Sequence, residues 1–154
     1  MQSVTSKAKP IPQGYHSITP ILIVEGAPRF IDFLKQAFRA EERERFMAPD
    51  GRVSHAEVRI GDSVVMMSDA NDEWKQMPAR IQLYTEDTDA AYRRALEAGA
   101  TSLREPADQF YGDRTAGVKD PFGNQWWIST HVEDVSPEEM QRRMKTAERE
   151  RTTQ

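Results

Sequence analysis

The chain has 154 residues, a formal net charge of −4 and no cysteine. A chain of this length is about one domain's worth and can bury a core without disulfides or a structural metal. The lack of cysteine excludes a disulfide scaffold, thiolate metal ligands and a cysteine nucleophile, and it fits a reducing cytoplasm. Acidic and basic residues are interspersed, so the composition predicts no nucleic-acid partner and no binding to anionic membranes.

The N-terminal residues 1–16 are predicted to be a flexible leader. They carry lysine and proline but no apolar run that would suit a signal peptide or a membrane span. We therefore expect a cytoplasmic protein.

An internal repeat organises the rest of the sequence. Residues 79–130 resemble residues 18–68, with an offset between 60 and 62 residues. With only two copies of this length, the repeat predicts one domain made of two similar modules that complete each other's core.

The first copy predicts the order βαβββ. A run of apolar residues comes first, and apolar residues then recur every three or four positions. After a Pro-Asp-Gly turn, apolar and polar residues alternate. In chain order these patterns predict a strand at 18–24, a helix after Pro28, a short stretch at 41–47, and strands at 53–60 and 63–68.

The second copy predicts the same order, and a helix follows it. Its elements are predicted as a strand at 79–85, a helix at 89–98, a short strand near 102–104, and strands at 114–119 and 124–130. The sequence Ser136-Pro137-Glu138-Glu139 is a capping box with proline at the first helical position, which predicts a helix from Pro137 toward Arg149. Its apolar stripe is thin, so we expect a surface or subunit-contact helix. We also expect a homodimer.

The last hairpin carries the sequence Asp120-Pro121-Phe122-Gly123-Asn124-Gln125-Trp126. Together with two βαβββ modules, this motif resembles the vicinal oxygen chelate superfamily of glyoxalases, bleomycin-resistance proteins and extradiol dioxygenases. The strings from His55 to Asp69 and from Gly112 to Asn124 are similar to its PhnB-like branch. The likeness covers about residues 17–135, which leaves 136–154 as a C-terminal helix and tail.

The resemblance implies an α+β fold in which the strands curl into a cup-like mixed sheet, with helices on the convex side and a ligand inside. Strand alternation divides the side chains between the two faces. The more apolar set should meet the helices: Leu22, Val24, Val65, Met67, Ile81, Leu83, Trp126 and Ile128. The other set should line the cup: Thr19, Ile21, Ile23, His55, Glu57, Arg59, Val64, Met66, Ser68, Arg80, Gln82, Tyr84, Thr115, Trp127 and Ser129.

Metal-dependent members of the superfamily place four ligands, typically His and Glu, on four strands that face the cup. By motif these positions fall on Thr19, Met66, Arg80 and Trp127. None is a usual ligand of a hard divalent ion, and a slip of one residue improves none of them. We therefore expect no cofactor.

A divalent metal remains the alternative, through His55 and Glu57. These two residues are two apart on one strand, so their side chains leave the same face. The competing interpretation is a charged strand face on which Glu57 pairs with Arg59, Arg80 or a neighbouring subunit.

Two functions follow from these residues. The first is a metal-independent protein that binds or sequesters a flat organic molecule stacked on Trp127, although Trp126 and Trp127 both filling core is an equal alternative. Its candidate ligand-binding residues are Thr19, His55, Met66, Arg80, Gln82, Tyr84, Tyr111 and Trp127.

The second function is enzymatic. It is a lyase, isomerase or dioxygenase that uses His55 and Glu57 with a metal, or Glu57 alone as a catalytic acid or base. In either case Tyr84 would donate a hydrogen bond or line the cavity, and Phe110 and Tyr111 would cover its mouth. We expect Asp113 or a backbone carbonyl to hold Arg114.

Overall fold

The computed structural model of the chain describes residues 7–153, which divide after Pro78 into two compact units. We call residues 7–78 module 1 and residues 79–153 module 2. Each contains one four-stranded mixed sheet and a helix in the order βαβββ, and module 2 ends in a further helix. The expected α+β fold and the repeated modules are confirmed. Of the predicted leader, residues 1–6 lie outside the described residues, and residues 7–16 form neither helix nor strand.

Module 1 has one helix and four strands. They are β1 (Ile21–Val24), α1 (Ala27–Phe38), β2 (Glu41–Met47), β3 (Val53–Ile60) and β4 (Ser63–Asp69). The sheet has the order β1-β4-β3-β2. β1 runs parallel to β4, and the other two pairs are antiparallel.

Module 2 repeats this topology. Its elements are β5 (Arg80–Tyr84), α2 (Thr88–Glu97), β6 (Thr101–Asp108), β7 (Asp113–Lys119), β8 (Gln125–His131) and α3 (Pro137–Thr152). The order β5-β8-β7-β6, with β5 parallel to β8, matches module 1 strand for strand. No helix in residues 7–153 is long and apolar enough to cross a membrane.

Two predicted boundaries were wrong. β1 starts at Ile21 rather than Ile18, because Pro20 has no N–H to donate and serves only as an acceptor, for the N–H of Met66. β6 continues to Asp108 rather than stopping near Arg104. It contains Pro106, which is tolerated because β6 is an edge strand with irregular register there.

The predicted core face is confirmed in three strands. Leu22, Val24, Val65, Met67, Trp126 and Ile128 are each less than a tenth exposed. Ile81 and Leu83 on β5, by contrast, are only half-buried. The two helices differ accordingly: α1 buries three phenylalanines, whereas the buried residues of α2 are Thr88, Ala91 and Ala95.

The motif that carries the family resemblance has a structural role. Asp120 Oδ1 accepts hydrogen bonds from the backbone N–H groups of Phe122 (2.8 Å) and Asn124 (3.0 Å). Its Oδ2 accepts one from the indole Nε1 of Trp126 (2.8 Å). Asn124 Oδ1 in turn accepts from the N–H of Ala79 at 2.9 Å, just before β5. The turn thus fixes the buried Trp126 and joins the two parallel strands of module 2.

Candidate functional site

The strand registers place one row of four side chains across each sheet, on the face opposite α1 or α2. Directly opposed residues on neighbouring strands point to the same face. In module 1 the row is Ile21, Met66, Glu57 and Glu44. In module 2 the equivalent row is Gln82, Trp127, Gly117 and Arg104. Met66 and Trp127, two of the positions to which the resemblance assigns metal ligands, therefore occupy the same place in their modules.

Trp127 is the centre of the row in module 2. Its indole lies over Gly117, where an added Cβ would come within 2.5 Å of the ring. The guanidinium carbons of Arg80 and Arg104 lie 5.0 and 5.3 Å from a ring centroid of Trp127. Both distances are those of cation–π contacts. Trp127 is half-buried, unlike the buried Trp126, so the two indoles do not both fill core.

The charges of Arg80 and Arg104 are not neutralised by ion pairs. Within residues 7–153, neither guanidinium has a carboxylate within salt-bridge distance. Two cations on one aromatic ring give this part of the sheet a positive field.

A polar network continues along the same face of module 2. Gln82 Nε2 donates to Ser129 Oγ at 2.7 Å, and Ser129 Oγ is 2.9 Å from Thr115 Oγ1. The Tyr84 hydroxyl donates to Asp113 Oδ2 at 2.7 Å, and this hydrogen bond raises the pKa of Tyr84. Because its proton is held by Asp113, Tyr84 offers a ligand an acceptor rather than the expected donor.

The imidazole of His131 joins two carboxylates. Its Nδ1 lies 2.8 Å from the buried Asp113, and its Nε2 lies 2.7 Å from the exposed Asp134. These two hydrogen bonds, that of Asp113 first, raise the pKa of His131. With both ring nitrogens engaged, His131 fixes the end of β8 to the segment that follows it.

The predicted role of Asp113 was wrong. Arg114 is held by Asp89, through Nε at 2.7 Å and Nη2 at 3.0 Å, and by Asp108 at 3.2 Å. Neighbouring residues of a strand point to opposite faces, so Asp113 and Arg114 cannot meet. The hydrogen bonds that Asp89 accepts from Arg114 lower the pKa of Asp89.

In module 1, His55 and Glu57 do lie on one face and contact each other. His55 Nε2 is 2.9 Å from Glu57 Oε2, and the Glu57 residue is only 6% exposed. Phe46 stacks on the imidazole of His55 at 6.4 Å between ring centroids. Of the alternative partners considered for Glu57, Arg59 donates instead to the carbonyl of Gly61, and Arg80 lies against Trp127.

The residues at the four superfamily metal positions do not fit a divalent ion. Arg80 lies against Trp127, Met66 is a thioether, and Thr19 is in the segment before β1. Residues 7–153 contain no group of three or more His, Asp or Glu side chains that could hold a metal ion. His55 and Glu57 supply two donors, which already bind each other. The donor chemistry therefore gives no basis for a step through a metal.

Two residues of this arrangement, Arg104 and Gly117, were not predicted as site residues, and Asp113 was predicted with a different partner. Arg104 lay at the end of the short strand predicted near 102–104, and no face was assigned to that strand. The repeat itself held the missing information, because an offset of 60 aligns Arg104 with Glu44 and Gly117 with Glu57. Tyr111, a predicted ligand residue, lies in the loop after β6 with its ring against Phe110, at 5.3 Å between centroids.

Comparison with known proteins supports the fold. Residues 14–128 match the model of the Glyoxalase/Bleomycin resistance protein/Dioxygenase superfamily. An uncharacterized protein of Mycobacterium bovis is 38% identical over 142 residues, covering 83% of this chain and 91% of its own. An uncharacterized protein of Mycobacterium tuberculosis is also 38% identical, covering 83% of this chain and 82% of its own.

Solved structures share the architecture at lower identity. TioX from Micromonospora sp. ML1 is similar with a TM-score of 0.65 and 21% identity, over 75% of this chain and 98% of that one. TnmS3, an antibiotic binding protein from Streptomyces sp. CB03234, has a TM-score of 0.62 and 22% identity, over 76% and 96%.

Proposed function

Because the chain belongs to the glyoxalase/bleomycin resistance/dioxygenase superfamily, and its metal positions hold residues unsuited to a divalent ion, we propose that it binds a small flat organic molecule without a metal. The observation that carries this proposal is Trp127, which lies on the face of module 2 opposite α2. By the resemblance, its position is one at which metal-dependent relatives carry a metal ligand. We also propose that the chain belongs to the PhnB-like branch, on the motifs between His55 and Asn124.

The surroundings of Trp127 support a stacking site. An aromatic ring supplies contact area at low entropic cost, and polar groups beside it orient the ligand. Gln82 lies directly across from Trp127 on β5, and Tyr84, with its acceptor oxygen, is two pairs further along on the same face. Both arginines lie against the ring, so a ligand that stacks on it requires one of them to move and form a new contact.

A precedent for this activity exists on the same fold. TnmS3 is an antibiotic binding protein. Binding of an organic compound is thus within the range of functions that this architecture carries, although the fold alone does not choose among them.

The test is elemental analysis of untagged protein after exposure to Ni²⁺, Zn²⁺, Mn²⁺ and Fe²⁺, followed by a thermal-shift panel of aromatic acids, alcohols and amines. We expect metal-free protein that is stabilised by flat aromatic compounds, because a ligand that binds only the folded state raises Tm. Trp127→Ala should stay folded and lose this stabilisation. Stoichiometric, tight metal binding contradicts the proposal.

A second candidate function rests on Glu57. A carboxylate that is 6% exposed, bound to an imidazole at 2.9 Å, has the geometry of a catalytic acid or base. Under this proposal Glu57→Gln abolishes turnover of a substrate while leaving its affinity within a few-fold, whereas simple ligand binding leaves no turnover to lose. Product analysis of the compounds that raise Tm distinguishes the two candidates.

A further inference from the structure

Module 2 contains a cavity of about 510 Å³ between α3 and the loop that follows β6. The volume is within the range of small-molecule sites. The cavity lies partly outside the family match, which ends at residue 128, because α3 supplies one wall. Its lining includes Arg104, Phe110, Tyr111, Ala147, Glu150 and Arg151.

The walls of this cavity are fixed by specific contacts. Arg143 on α3 donates to both carboxylate oxygens of Glu133, at 2.7 and 2.9 Å, and to the carbonyl of Phe110 at 3.1 Å. Gly112, at φ +99°, accepts backbone hydrogen bonds from Val132 and Glu133, and a Cβ there would lie 2.2 Å from the Glu133 carbonyl. Arg143 therefore connects α3 to the loop, and Gly112 connects the loop to residues 132–133 at a point where only glycine fits.

The cavity combines positive charge with aromatic surface. Arg104 and Arg151 line it, and within the described part of the chain neither is ion-paired to a carboxylate. Glu150 offsets one of these two charges. Phe110 and Tyr111 pack edge to face beside them. Guanidinium groups are the preferred partners of carboxylate and phosphate oxygens, with which they form paired hydrogen bonds.

Arg104 connects this cavity to the proposed stacking site. Arg104 lines the cavity, and its guanidinium carbon lies 5.3 Å from the centroid of the Trp127 ring. Resting on the function proposed above, we infer that the ligand is an aromatic anion. Its ring lies at Trp127, and its carboxylate or phosphate binds Arg104 and Arg151 in the cavity beside α3. The C-terminal helix is then part of the binding site.

The test uses three probes of one shape and different charge: 2-naphthoate, 2-naphthalenemethanol and 2-naphthylmethylammonium. Calorimetric titration of the wild type should show 2-naphthoate binding about tenfold more tightly than the alcohol, with the ammonium compound weakest. Arg151→Gln should remove the preference for the anion and leave the affinity for the alcohol unchanged. Arg149→Gln is the matched control, since it removes the same charge from α3 at a position that does not line the cavity.

The possible failures are distinguishable. Equal affinity of the wild type for 2-naphthoate and the alcohol overturns this inference and leaves the proposed function standing. Binding of none of the three overturns both. If Arg104→Gln no longer binds 2-naphthoate more tightly than the alcohol and Arg151→Gln still does, the acidic group does not bind in the cavity beside α3. A fourth probe, 2-naphthyl phosphate, identifies the acidic group as phosphate if it binds more tightly than 2-naphthoate, and as carboxylate if it does not.

Discussion

The two modules share one topology but carry opposite chemistry at equivalent positions. Across the sheet of module 1 run Ile21, Met66, Glu57 and Glu44, and across that of module 2 run Gln82, Trp127, Gly117 and Arg104. An acidic edge in one module is thus a basic edge in the other. The glycine of module 2 stands where module 1 has a buried carboxylate, and the indole lies in the room that this glycine leaves.

The two modules therefore share one strand topology, while the side chains in the equivalent rows differ in charge and size. The scaffold residues of the two modules also differ in kind. In module 1, Asp69 accepts three backbone N–H groups, from Gly26, Ala27 and Val53. At the equivalent place in module 2, the Thr130 hydroxyl accepts from the N–H of Thr88. A carboxylate in module 1 and a hydroxyl in module 2 therefore accept hydrogen bonds from the first turn of the equivalent helix.

The largest expected difference in unfolding free energy is between variants of the two tryptophans of β8. Trp126→Ala should lower the free energy of unfolding by about 3–5 kcal/mol, because it leaves a large cavity in the core and removes the partner of Asp120. Trp127→Ala should cost about 1 kcal/mol or less, since its ring is half-buried on the other face. Urea unfolding measures both. Similar losses would place Trp127 in the core and remove it from the ligand site.

A smaller difference in unfolding free energy is expected between variants at the N-termini of α1 and α2. Asp69→Ala is expected to cost about 2–4 kcal/mol, because three backbone N–H groups lose a charged acceptor. Thr130→Ala is expected to cost about 1 kcal/mol, as for loss of a helix-capping hydroxyl. Equal costs, measured by urea unfolding of both variants, would show that the two acceptors are equivalent after all.

Gly117→Ala tests the packing of the indole in module 2. The new Cβ should displace the Trp127 ring and cost about 1–2 kcal/mol, because the ring is at the surface and is able to swing aside. Because the ring is displaced, the increase in Tm that 2-naphthoate causes should be smaller in this variant than in the wild type. Glu57→Gln at the equivalent position of module 1 is the control and should leave that stabilisation intact. Loss of stabilisation in both variants would contradict a site confined to module 2.

The smallest effect concerns pH and His131. Its pKa is raised in the folded state by Asp113 and Asp134, so protonation favours folding. That stabilisation is complete below the unfolded pKa of about 6.5 and is lost as the pH rises through the folded pKa. The difference in unfolding free energy between wild type and His131→Gln should therefore be larger at about pH 5.5 than at about pH 9. A difference independent of pH would contradict the charged bridge.

Most of the fold followed from the sequence because repeat, alternation and capping motifs are local patterns. Ser136 caps α3 by accepting from the Glu139 N–H, as its motif predicts. The site was harder to predict, because it depends on which strands are neighbours. Arg104 reaches Trp127 only across β7, at a point where Gly117 leaves space, and that relation joins three strands. Likewise, the partner of Asp113 could not be read from its neighbour Arg114.

The most direct test of the central claim is the indole N–H region of a ¹⁵N-correlation NMR spectrum, recorded as 2-naphthoate is added to metal-free protein. The chain has three tryptophans, which Trp→Phe variants assign: exposed Trp74 in module 1, buried Trp126, and Trp127. We predict that the Trp127 signal shifts to saturation while that of Trp74 stays in place. A shift of Trp74 with Trp127 unmoved, or a shift that requires added metal ion, would contradict metal-free binding at Trp127.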